Sequence, residues 1–302
     1  MDLSNPLLNQ EFHLPCGRCV GVAETGKSNQ VVVLDFYPMG SSRWIVALSQ
    51  IPEGLRVICM DRPGIGLSSS AEHSTPMLFA DDVANVLDQM GVSKVHVLAC
   101  CCGAIYGLAF AVRHPSRVTG VSLLAPWVEP DLASASLRFV KHHVPQGIIG
   151  AVGWLTNHLV LASFSSVVES TLLPSERAKL RPALVAASRA VCEENGRRTA
   201  DGNAADLAAC AGKTPWGYTY ADAAAAAAAG RRQILVVAGT HDTVVRPGAV
   251  CALAAALPGC ALEWVEASHT GLIMLQRPEV LRRILDTEEA AAAAAVESEG
   301  RG

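Results

Sequence analysis

Short continuous apolar runs, each bounded by polar or turn-forming residues, recur through the first half of the chain. Val31–Asp35 (V-V-V-L-D), Arg56–Met60 (R-V-I-C-M), Lys94–Ala99 and Val118–Ala125 are of this kind. Runs of that length, apolar at every position, predict strands covered on both faces, as in a parallel sheet. The intervening segments have a different period. Phe79, Val83, Val86 and Leu87 fall close to helical spacing and predict a helix within 76–90, a second helix is expected from about Arg43, and a third over Ile105–His114. Ahead of them, Glu11–Glu24 reads as two short strands around a turn at Cys16 and Gly17. Strands alternating with helices imply a parallel sheet with right-handed crossovers, so the fold class is α/β.

The alternation stops after Ala125. Residues 126–230 read as helical with no convincing strand, and they carry Trp127, Trp154 and Trp216, three of five tryptophans. The β/α pattern then resumes with a strand at Gln233–Gly239, a helix from about Pro247 to Leu257, a strand at Ala261–Val265 and a helix from about Leu272 to Leu285. Pro247 suits a first helical position, where no backbone N–H is needed. The expected organisation is a core of 11–125 with 231–287, a helical cap of 126–230 over the carboxyl edge of the sheet, and an Ala/Glu-rich flexible tail of 288–302. The alanine run Ala223–Ala229 reads as helix.

Composition narrows the class. With 302 residues, half of them hydrophobic, 17% charged and a formal net charge of -4, the chain can bury a large core and offers no basic surface for nucleic acid. Val95–Val112 lacks a formal charge apart from His96 and reaches the length of a membrane span. Gly103 in its middle and the change from β-branched to helix-forming residues predict a buried strand plus a buried helix instead. Met1–Gln10 lacks the basic and apolar regions of a secretory signal, so a cytoplasmic location is the expectation. The ten cysteines lie in apolar segments and read as reduced, mostly buried thiols. Cys16 and Cys19 form C-x-x-C, but no second pair or histidine cluster accompanies them, so neither a metal nor another cofactor is expected.

The chemistry is concentrated at Val95–Ala104, V-H-V-L-A-C-C-C-G-A. A strand runs into a helix through a sharp turn whose apex is a thiol. In the elbow pattern G-x-S-x-G a strained strand-to-helix turn pushes the middle residue out above the sheet edge, and the corresponding residues are Ala99, Cys100, Cys101, Cys102 and Gly103. Cys101 is therefore the candidate nucleophile. A thiol needs a base, and the base needs a partner that holds its tautomer. Thr240, His241 and Asp242 follow one late strand, and Ser268 and His269 follow the next, all at the sheet edge that also presents Cys101. A helix N-terminus and a nearby histidine are expected to lower the Cys101 pKa. Cys100 and Cys102 read as core residues, His241 as a neighbour, His142 and His143 as surface residues, and Asp61 as a structural acceptor for amides of its own Gly-rich turn.

In these residues the chain resembles an α/β-hydrolase with a helical cap, from about Glu11 to Leu285. L-P-C-G-R-C-V-G-V-A-E-T-G resembles that family's opening hairpin and D-R-P-G-I-G-L-S its loop after the fourth strand. A-C-C-C-G-A resembles its elbow, A-G-T-H-D-T-V-V its acid loop and A-S-H-T-G its histidine loop. The run G-A-I-Y-G-L-A-F-A-V-R-H-P followed by L-L-A-P-W-V-E-P also resembles uncharacterised capped hydrolases of filamentous fungi. The resemblance implies Cys101 as nucleophile, His269 as general base and Asp242 as orienting acid. It places the oxyanion hole at the backbone N–H of Cys102 and that of Phe36 or Tyr37. A thiol at this apex resembles dienelactone hydrolases and some cyclising acyltransferases of the fold.

The family usually has His-Gly where this chain has Asp35-Phe36. Asp35 would set a negative charge near the developing oxyanion, and the glycine that brings the oxyanion loop close is missing. Trp127 and Trp154, with Ile148, Ile149, Val152 and Leu155, point to a small or medium-sized apolar acyl substrate. Three functions fit the pattern. They are hydrolysis of an ester, lactone or thioester through a Cys101 thioester, acyl transfer or ring closure on the same triad, and ligand binding without catalysis.

Overall fold

The computed structural model describes residues 3–26, 31–149, 151–152, 164–197, 201–230 and 232–299. Eight strands form one sheet in the order β1-β2-β4-β3-β5-β6-β7-β8. They are β1 (Gln10–His13), β2 (Cys19–Gly26), β3 (Val31–Phe36), β4 (Leu55–Met60), β5 (Val95–Cys100), β6 (Val118–Leu124), β7 (Ile234–Gly239) and β8 (Ala261–Val265). The first two form an antiparallel hairpin that joins the sheet against β4, and every later pairing is parallel. All six residues of β5 are buried, which explains why its sequence is apolar throughout rather than alternating. The register pairs Phe36 with Ala99, Cys100 with Leu124, and Gly239 with Val265. The carboxyl ends of β3, β5, β6, β7 and β8 thus share one edge, where open parallel sheets bind ligands.

Helices α1 (Pro76–Gln89) and α2 (Gly103–Arg113) cover one face. Gly107 lets α2 lie close on the sheet, since a Cβ there would sit 2.8 Å from the Cβ of Ala99. The apolar stretch Val95–Val112 divides between β5 and α2, and no helix among the described residues is long and apolar enough to cross a membrane. The helix expected from Arg43 is a 3-10 helix, Arg43–Leu48.

Between β6 and β7 the described residues contain helices only. They include α3 (Pro130–Ala133), α4 (Ala135–His143), α5 (Phe164–Thr171), α6 (Pro174–Arg177), α7 (Pro182–Asn195), α8 (Asp201–Cys210) and α9 (Tyr220–Ala229). Buried ion pairs tie this insert to the sheet loops. Arg43, after β3, reaches Asp61 at 2.7 Å and Glu194 of α7 at 2.8 Å. Arg62, after β4, reaches Asp206 of α8 at 2.6 Å, and Tyr106 of α2 donates to the same carboxylate at 3.0 Å. Asp61 accepts the Leu67 N–H of its own turn, as expected, and the Arg43 N–H as well.

The last part of the chain differs from expectation. After α10 (Pro247–Ala256) and β8, a helical turn at His269–Gly271 passes through a wider π-type turn, Leu272–Gln276, into α11, Arg277–Glu299. Helix α11 continues through Glu299, into the Ala/Glu-rich segment that begins at residue 288. Glu288 accepts from Thr119 at 2.7 Å and pairs with Nδ1 of His96 at 2.7 Å, which holds the helix on β5 and β6.

Candidate active site

Cys101 has φ 51°, and the only other non-glycine residue with positive φ among those described is Ala125, φ 48°, at the end of the neighbouring strand. A non-glycine residue held in the left-handed region costs about 1–3 kcal/mol and persists only where its surroundings impose it. Those surroundings are visible. The Cys101 N–H donates to Leu124, and its carbonyl accepts the Trp127 N–H at 2.9 Å. The turn is also pressed against the end of β3, because a Cβ on Gly103 would lie 2.1 Å from the Phe36 carbonyl oxygen and 2.8 Å from that of Tyr37. Close approach of the β3 loop to the elbow is therefore achieved by Gly103 on the elbow side.

The acid and histidine loops meet at the same edge. Asp242 is buried, and its Oδ1 accepts the Val244 and Val245 N–H groups at 2.8 Å each. This leaves Oδ2 for His269, whose Nδ1 donates to it at 2.7 Å. With Nδ1–H committed to the carboxylate, Nε2 is the nitrogen left to act as a base. The histidine loop has a second support that sequence reading did not find. Glu176 of the insert is buried and accepts the Ser268 N–H at 2.9 Å, the Ser268 hydroxyl at 2.7 Å and the Leu173 N–H at 2.8 Å. Gly271 makes room for it, since a Cβ there would fall 1.8 Å from the Glu176 carboxylate. Locally Glu176 reads only as the cap of its own short helix, through the Leu173 N–H, whereas Ser268 lies 92 residues away in the chain.

Cys101 and His269 line one cavity of about 310 Å³. Its remaining wall is mostly apolar, from the β3 loop (Pro38, Met39), the 3-10 helix (Ile45, Leu48), the insert (Val168, Val191) and the residues after His269 (Ile273, Met274), with the hydroxyl-bearing residues Ser41, Thr171, Ser188 and Thr270 among them. Trp127 is not part of it. That side chain lines a neighbouring cavity, and its Nε1 donates to the Cys210 carbonyl. Trp154 and Leu155 lie outside the described residues. Phe36 packs its ring against Phe79 and Phe110, and the Tyr37 hydroxyl accepts the Arg62 N–H at 2.8 Å. Both side chains are thus core props, and only their backbone remains for an oxyanion role. His142 and His241 are exposed, the first paired with Asp131 and the second with Thr240.

A family model of the alpha/beta hydrolase fold matches residues 31–273. The chain belongs to this family. Among curated relatives it is 30% identical over 120 residues to a putative carbamate hydrolase RutD of Caulobacter segnis, covering 38% of this chain and 45% of that one. It is 29% identical over 105 residues to the corresponding protein of Caulobacter sp. (strain K31), covering 34% and 39%. The chain thus spans less than half the length of these relatives. Among solved structures, an esterase of Exiguobacterium antarcticum superposes with TM-score 0.68 at 16% identity, over 93% of this chain and 99% of that one. The enol-lactonase of Burkholderia xenovorans LB400 superposes with TM-score 0.60 at 18% identity, over 92% and 98%.

Two expectations for this α/β-hydrolase need correction. Asp35 does not present its charge to the oxyanion site. It is buried in an ion pair with Arg277 of α11. Nor is the thiol acidified. Burial pushes Cys101 well above the ordinary cysteine range, and neighbouring Cys102 and Asp242 push the same way, against the Cys102 N–H. No hydrogen bond joins its sulfur to His269 among the described residues, so the elbow holds a neutral thiol rather than a thiolate–imidazolium pair. Cys16 is exposed, and the Arg18 N–H holds its thiol below the usual range. Iodoacetamide at pH 7 is expected to modify Cys16 before Cys101, and the Cys101 rate is expected to keep rising beyond pH 9, roughly tenfold per unit. Peptide mapping over time at several pH values measures both, and a Cys101 rate that levels off below pH 8 would contradict the neutral thiol.

Proposed function

We propose that the chain is an acyl hydrolase acting on a small apolar ester, lactone or thioester through Cys101, His269 and Asp242, with the helical insert as its cap. The observation that carries this reading is the convergence of a strained Cys101 and an Asp242-held His269 on one apolar cavity. The likeness to an esterase, an enol-lactonase and putative carbamate hydrolases supports it, since each name denotes hydrolysis at an acyl carbon.

In the proposed reaction the neutral thiol is deprotonated as it attacks. Cys101 Sγ forms a bond to the acyl carbon while its proton passes to His269 Nε2, and Asp242 stabilises the imidazolium formed. The oxyanion is held by the N–H of Cys102 and that of Phe36 or Tyr37. As the tetrahedral intermediate collapses, the bond to the leaving oxygen or sulfur breaks and that atom takes the proton from His269. Water then attacks the thioester carbon, giving a proton to His269, after which the C–S bond breaks, the Cys101 sulfur takes that proton back from His269 and the carboxylic acid leaves. A second reading, ligand binding without turnover, draws on the neutral thiol and on the missing Cys101–His269 hydrogen bond.

Trapping separates the two. The protein is mixed with p-nitrophenyl butyrate and with short and long acyl thioesters, quenched in acid, and its intact mass and Cys101 peptide are measured. Product release with an acyl group on Cys101 is expected. No release above background and no adduct, across all the acyl donors, would leave the binding reading.

A further inference from the structure

The Cys101 cavity has no charged side chain in its wall. A second cavity of about 250 Å³ is lined in part by the acid loop, Thr243 to Arg246, and Val244 borders both. The Val244 N–H is held by the same Asp242 that orients His269, so the second space sits against the triad's own scaffold. It is lined by Trp127, Ser136, Thr243 and Arg246, and no acidic side chain contributes to its wall.

Arg246 is exposed and has no ion pair or side-chain hydrogen bond among the described residues. The carboxylates that lie between Trp127 and Ser136 in the chain, a stretch of the wall far from Arg246 in sequence, are already matched. Glu129 and Asp131 both pair with Lys141, and Asp131 also with His142. The two cavities both carry hydroxyl groups and differ in charge, one mostly apolar and without a charged side chain, the other with an unmatched guanidinium.

We infer that the second cavity is a subsite for a carboxylate on the substrate, with Arg246 as the residue that selects it. The substrate class becomes a two-part molecule, an uncharged apolar acyl end and an end bearing a carboxylate, joined by the bond that Cys101 attacks. A planar guanidinium presents paired donors that match a carboxylate's two oxygens. One cation suits a monoanion, whereas phosphate groups are more often met by clusters of arginines. The inference rests on the hydrolase reading above for its bond-breaking step, but not for its binding step.

The test uses butyryl esters of 4-hydroxybenzoate, of its methyl ester and of 4-hydroxyphenyl phosphate. For the parent protein, kcat/KM is expected to favour the carboxylate ester over the methyl ester by roughly five- to tenfold, and the ratio is expected to fall to about one in Arg246→Gln. Arg246→Lys should keep part of the preference, and about 0.5 M NaCl should shrink it. An unchanged ratio in Arg246→Gln overturns the subsite, as does a preference for the phosphate ester over the carboxylate ester. Calorimetry of 4-butyramidobenzoate with Cys101→Ala distinguishes the two proposals. Binding that is weakened by adding Arg246→Gln, in a protein whose parent cleaves none of the esters, upholds the subsite and removes the hydrolase reading. Ester cleavage with no dependence of binding on Arg246 does the reverse.

Discussion

Cys101→Ala is expected to lower turnover of the best ester by at least about a thousandfold and to abolish the covalent adduct, because it removes the atom that carries the acyl group. The more informative substitution is Cys101→Ser. In an enzyme with a preformed thiolate, serine loses both the nucleophile's charge and its reactivity. Here burial keeps the thiol protonated, so the native reaction already depends on His269 to take a proton during attack, as a serine reaction would. The serine variant is therefore expected to keep roughly a tenth to a hundredth of the parent rate, with an oxygen ester as intermediate. Stopped-flow release of p-nitrophenol and intact-mass analysis at early times would measure both effects. Turnover in Cys101→Ala equal to that of the parent would remove Cys101 from the mechanism.

Arg43→Ala is expected to cost about 3–5 kcal/mol of stability, the usual consequence of removing one partner from a buried ion pair. The Arg43 side chain is fully buried, and it also donates from Nε to the Leu8 carbonyl at 2.9 Å and from Nη2 to Asn9 at 2.8 Å. It thus joins the N-terminal segment, the turn after β4 and helix α7 of the insert. Burial pushes the Asp61 carboxyl up, and Arg43 is the largest opposing influence, so without the guanidinium this acid must either take up a proton or remain charged without a counterion. For a chain of 302 residues the loss corresponds to a fall in Tm of about 5–8 °C. Thermal and urea unfolding followed by circular dichroism would measure it. Breaking the exposed Arg189–Glu193 pair is a suitable contrast, worth less than about 1 kcal/mol. A change at Arg43 no larger than that would show the buried network to be energetically neutral.

Much of this architecture was legible in the order of residues. Apolar runs such as Val31–Asp35 and Arg56–Met60 marked β3 and β4 to within about a residue at either end, because a strand buried on both faces must be apolar at successive positions. The elbow was legible too. An apolar strand followed by Ala99, a thiol apex and Gly103 specifies a turn in which small residues permit the left-handed backbone at Cys101. The placement of Asp242 and His269 followed from their positions just beyond two strands that a parallel sheet must bring to one edge.

What only the tertiary structure decided depends on contacts between distant residues. Asp35 is neutralised by Arg277, 242 positions away, and no local pattern announces such a pairing. Glu176 supports the histidine loop from across the insert for the same reason. Trp127 follows β6 as the strand order requires, yet its ring lines the cavity beside the acid loop and not the one that holds Cys101. The thiol's protonation also lay outside the reach of sequence. The elbow motif and helix N-terminus argue for a thiolate, but the balance is set by how much water and how many carboxylates surround the sulfur once every element has packed. Local sequence determines backbone periodicity and turns, through sterics and hydrogen bonding along a few residues. Burial, charge pairing and the shape of a cavity are properties of the whole packed chain.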